Sequence, residues 1–132
     1  MSKRVKKSSR EGATEAVGDC YEAAASLMLE VCEHGRRLEA AAHLRVVHAE
    51  VCGQANIEGI YHGHAFVLDV DKGIVIDTSN GRCCVLPQPV YYGLGKIDQI
   101  NNLHVYTADE VIEKLLYLRT YGPWDLKTST GL

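Results

Sequence analysis

Residues 64 to 77 read HAFVLDVDKGIVID, two β-rich apolar runs separated by an Asp-Lys-Gly turn. Such a pattern specifies a β-hairpin, since the turn residues tolerate a tight reversal and the flanking runs favour extended backbone. Neither run alternates polar and apolar residues. The hairpin is therefore expected inside a sheet covered on both faces rather than at a solvated surface.

The remaining chain supplies what would cover it. From Cys20 to about His34 good helix formers dominate, and Ala24, Leu27, Met28, Val31 and Cys32 recur at three- and four-residue spacings that make one apolar face. Asp19 is placed to cap this helix and Gly35 to end it. RRLEAAAH predicts a short second helix, LRVVHAEVC a strand ended by Gly53, and QANIEGIYHG a connection or edge strand. After the hairpin, SNGR turns the chain. CCVLPQPVYYGLGKI then reads as a short strand, a proline-marked loop and a helical turn, and HVYT as a last strand. Thr107 and Glu110 predict a capping box before VIEKLLYL, and Trp124 is expected to pack on the body. Helices flanking a run of antiparallel strands give an α+β domain.

With 132 residues, one domain is expected: a basic tail over residues 1–12 and a folded unit over 13–132. The first ten residues hold five Lys and Arg and no acid, leaving nine basic against 17 acidic side chains in residues 11–132, about −8 in net charge. An acidic body repels phosphate, so nucleic acid is not the expected partner. No run of ~18 apolar residues is present to cross a membrane. Five cysteines, an odd number without CxxC spacing, suit free thiols in a cytoplasmic protein better than a disulfide framework or a zinc knuckle.

The reactive residues follow from position. A cysteine in the first turn of a helix, as Cys20 is expected to be, meets unpaired N–H groups and the macrodipole, which together favour a thiolate. The same N–H groups stabilise an oxyanion. Of six histidines, His34, His43, His48 and His104 read as surface or core-edge residues. His62 and His64 stand together at the head of the hairpin, on one face if extended. With a two-residue turn, Val70 faces Gly73, His64 faces Ser79, and Asp77 is the diagonal neighbour of His64 on the same face. A three-residue turn slips the register by one, turns Asp77 away and sets Asn80 opposite His64. Asp77 is the favoured acceptor, because a carboxylate in an apolar run needs a partner to be buried. Its alternative role is to cap the SNGR turn. His62, His64 and Asp77 could also hold a metal, but no further ligands are evident, so neither a metal nor an organic cofactor is expected.

Taken in chain order, a cysteine opening a helix, HAFV on a strand and VIDTSNG on the next resemble the papain-like and transglutaminase-like cysteine hydrolase superfamily. The resemblance spans roughly Gly18 to Asn80, with Phe66 where the aromatic is often Trp. PVYYGLGKI to YGPWDL is similar to the tail of small phage and bacterial proteins carrying this hairpin. The superfamily resemblance implies an N-terminal Cys-bearing helix packed on an antiparallel sheet. It also implies a catalytic triad of Cys20, His64 and Asp77, and a peptide or protein amide as substrate. Papain-type enzymes place a Gln before the nucleophile as an oxyanion donor, and none precedes Cys20. The backbone N–H of Cys20 is left for that role, aided by Gln54 or Tyr21, which points to the transglutaminase-like branch.

Overall fold

The computed structural model describes residues 13–52 and 61–127, with side chains from residue 19 onward. Residues 1–12 and Gln54 lie outside the described residues. The elements are helix α1 (Ala13–Gly35), a 3-10 turn (Leu38–Ala41), strands β1 (Leu44–Cys52), β2 (Tyr61–Asp69) and β3 (Ile74–Asp77), a second 3-10 turn (Ser79–Gly81), strand β4 (Cys84–Pro87), helix α2 (Gln88–Leu94), strand β5 (Leu103–Tyr106) and helix α3 (Ala108–Leu118).

The strands form one antiparallel sheet in the order β4-β3-β2-β1-β5, so the hairpin occupies its interior. Alternation along β1 divides the core. Val46 packs with Val67, with Cys20, Ala24, Ala25, Met28 and Cys32 of α1 and with Val111 of α3. Val47 packs on the other face with Phe66, Leu68, Val75 and Tyr92 of α2. Both faces are covered, as near-continuous apolar strands require. The protein is thus α+β, with helices packed on a five-stranded antiparallel sheet.

The hairpin pairs Val67 with Ile76, Leu68 with Val75 and Asp69 with Ile74. This is the register of the two-residue turn, although Val70–Gly73 all leave the ladder. The buried Asp69 carboxylate accepts the N–H groups of Asp71 and Lys72, each at 3.0 Å, and Gly73 adopts φ +68° to close the reversal. Thr107 and Glu110 form the expected capping box on α3. Trp124 packs edge-on against Tyr106 and tilted against His48, with 5.0 Å between ring centroids in both cases.

One boundary differs from expectation, and it matters for the chemistry. Helix α1 begins at Ala13, not at Cys20, so Asp19 is an interior residue and not an N-cap. Thr14, Glu15, Ala16 and Val17 tolerate helix, and one interior glycine, Gly18, costs only about 1 kcal/mol relative to alanine. The Asp19 carboxylate instead accepts the backbone N–H of Asn80 at 2.7 Å.

Candidate active site

The β2–β3 ladder ends at Val67 and Ile76, because β3 runs into the 3-10 turn after Asp77. Beyond that point β2 retains only β1 as a paired neighbour. The turn is fastened to α1 through Asn80 and Asp19, and this brings the helix to the open side of β2. His64 stands at that opening.

His64 and Asp77 meet across the diagonal of the ladder. His64 Nε2 lies 2.9 Å from Asp77 Oδ2, with side chains only 15% and 13% exposed. Asp77 also caps the turn: its Oδ1 accepts the Ser79 backbone N–H at 3.0 Å and the Ser79 hydroxyl at 2.7 Å. Turn cap and histidine partner are thus one carboxylate using different oxygens. Oδ2 takes a further hydrogen bond, from the Tyr91 hydroxyl at 2.6 Å. Burial alone would raise the Asp77 pKa. The hydrogen bond and charge of His64, then the donors Tyr91 and Ser79, hold it well below the usual carboxylate range.

The imidazole shows the opposite balance. Burial disfavours its cation, but hydrogen bonding to Asp77 and to Cys20, with the charges of both, pushes His64 up to about 10. With Nε2 committed to Asp77, Nδ1 is the ring nitrogen left for the thiol. Three elements, α1, β2 and β3, therefore bring Cys20, His64 and Asp77 together in the expected order.

Cys20 does not occupy the environment foreseen for it. It lies two turns inside α1, where a backbone N–H is committed to the carbonyl four residues earlier, so the argument from a free helix N-terminus falls away. Its N–H is equally unsuited to be an oxyanion donor. The thiol is also 2% exposed, whereas Cys83 and Cys84 are exposed and Cys32 and Cys52 are buried.

The supporting candidates divide. Tyr21, about 100° round the helix from Cys20, packs edge-on to His48 with 5.0 Å between ring centroids. Its burial, then the neighbouring Cys20 and Glu50, push its pKa upward and keep it protonated. Asn80 is exposed, adopts φ 61° and serves through its backbone, so the three-residue-turn alternative does not hold. His62 lies near His64, its ring edge-on with 6.1 Å between centroids. Among the described residues no three His, Cys, Asp or Glu side chains are grouped to hold a metal.

Two contributors were not foreseen. Ser79 had a signal, since a serine two residues after an aspartate favours a local turn closed on the carboxylate. Tyr91 had none, because its bond to Asp77 depends on where α2 docks. Cys84 pairs with Asp77 across the β3–β4 ladder. A further residue departs from its reading. His48 is fully buried among Tyr21, Tyr106 and Trp124, and neither of its ring nitrogens has a hydrogen-bond partner.

Among the described residues, no helix is long and apolar enough to cross a membrane. Compared with known proteins, the chain matches no protein-family model, no curated protein and no solved structure.

Proposed function

We propose that the chain is a thiol acyl-transfer enzyme on a papain-like or transglutaminase-like scaffold, acting on an amide carbonyl of a peptide or protein. The observation that carries this reading is the buried His64–Asp77 contact at 2.9 Å, with Cys20 of α1 close enough to the same imidazole to raise its pKa. Cys20 Sγ attacks the carbonyl carbon, and His64 delivers its proton to the departing amine. Water, activated by the now neutral His64, then cleaves the thioester to release the acid and restore the thiol. Asp77 fixes the tautomer and supports the imidazolium. Hydrolysis is the default outcome because water needs no second binding site; a bound amine acceptor would give transamidation. The reading places its action in a cytoplasm, where a catalytic thiol stays reduced.

A second reading is favoured by one specific observation. Cys20 is 2% exposed and carries no free backbone donor beside it, which suits a binding or regulatory protein that retains the scaffold without turnover. Alkylation separates the two. Under the enzyme reading, iodoacetamide at pH 6 modifies the Cys20 peptide in the wild type, and His64→Gln slows that reaction at least tenfold while Cys83 and Cys84 are unaffected. A Cys20 peptide that stays unmodified in folded protein, or reacts identically in His64→Gln, supports the binding protein.

A further inference from the structure

The Asp77 carboxylate accepts hydrogen bonds at both oxygens, but not equivalently. The two bonds to Oδ1 come from Ser79, two residues away, and are local to the turn. At Oδ2 the donors come from two different elements, His64 Nε2 of β2 at 2.9 Å and the Tyr91 hydroxyl of α2 at 2.6 Å. The phenol reaches this oxygen because its ring stacks at a tilt on Phe66, 4.8 Å between centroids, and because α2 is anchored by the bond from Gln88 N–H to Gly73 O at 2.9 Å. Burial and then the neighbouring Asp77 push the Tyr91 pKa far upward, so the group remains a neutral donor.

We propose that Tyr91 is a positioning residue of this site, whose hydroxyl shares Asp77 Oδ2 with His64 and thereby weakens the carboxylate's hold on the imidazole proton. The proposal rests on the reading of Cys20, His64 and Asp77 as one reactive unit. A carboxylate oxygen that already accepts a strong hydrogen bond has less electron density for a second donor. An unshared Asp77 would hold His64 as a cation too firmly for the proton to pass to a leaving amine. The other titratable groups facing His64 are Cys20 from α1 and His62 from β2. Cys84 from β4 faces Tyr91 and belongs to the same cluster.

The test is a nuclear magnetic resonance titration of the His64 ring in full-length Cys20→Ser protein, which leaves the imidazole to titrate without its coupled thiol. Tyr91→Phe removes the competing donor, and the His64 midpoint should rise by about half a pH unit or more. Incorporating 3,5-difluorotyrosine at position 91 strengthens the donor, and the midpoint should fall. This second arm keeps the ring and decides the matter if Tyr91→Phe fails to fold. An unchanged midpoint, or a shift of the opposite sign, overturns the proposal and leaves Tyr91 as packing alone. Because the titration needs no turnover, it is independent of the Cys20 alkylation that tests the enzyme reading.

Discussion

The Asp19 carboxylate accepts the Asn80 N–H at 2.7 Å, joining the residue before the Cys20 thiol to the turn that follows Asp77. Asp19→Ala removes the acceptor from an exposed hydrogen bond while adding a better helix former, so stability should change by less than about 1 kcal/mol. Reactivity should respond more strongly: Cys20 alkylation at pH 6 is expected to slow severalfold with the circular dichroism spectrum retained. An unaltered rate would show that α1 is registered on the sheet by packing alone.

The His64–Asp77 pair gives stability a defined dependence on pH. His64 is raised from 6.5 to about 10, so its contribution is complete below about pH 6.5 and lost as pH rises towards 10. Asp77 is depressed from 3.8, so its contribution is present above about pH 4 and lost only as the folded carboxylate is protonated in stronger acid. The stability difference between wild type and Asp77→Asn should be greatest between about pH 4 and 6.5 and shrink steadily to pH 10. Urea denaturation at several pH values measures it, and a difference independent of pH would count against an ion pair.

His48 predicts the reverse slope. Burial, reinforced by His104 and opposed by Asp125, lowers its pKa from 6.5 to about 4. A base depressed in the folded state binds its proton more readily when unfolded, so stability declines as pH falls from 6.5 to about 4. At about 1.4 kcal/mol per pH unit the loss is roughly 3 kcal/mol. His48→Phe should flatten this decline and raise the melting temperature at pH 5, because it replaces a buried ring with two unpaired nitrogens by an apolar one. A steeper acid decline in the variant would contradict the assignment.

Gly122 seals that ring from above. A Cβ there would lie 2.8 Å from His48 Cε1 and 3.2 Å from Tyr21 Cδ1, and the backbone φ of +127° is one that favours glycine. Gly122→Ala should therefore destabilise the protein by about 2 kcal/mol or more, read from the denaturation midpoint. A neutral effect would mean that the 119–127 segment can lift without disturbing the core.

The central hairpin was legible because every level of the sequence agreed on it. The apolar runs set its depth, the turn residues set its position, and the need to pair a buried carboxylate selected the register that joins Asp77 to His64. The start of α1 was not legible. Gly18 and Asp19 resemble the start of a helix, but such local signals are worth about 1 kcal/mol and yield when the preceding residues also accept helix. His48 and Tyr91 were hidden for another reason. Nothing near either in sequence records that three aromatic rings converge on the one, or that α2 carries the other to Asp77.

On the proposed reading of Cys20, the carboxylate of Asp77 governs when the thiol can become reactive. Its partners come from β2, from the turn after β3 and from α2, and the thiol arrives on α1, so no local fragment contains the complete unit. An emerging or partly folded chain has the sulfur without the polarising network around it. If Cys20 is the nucleophile proposed above, its reactivity belongs to the finished tertiary structure, and the nascent chain cannot attack itself or its neighbours before its own site exists.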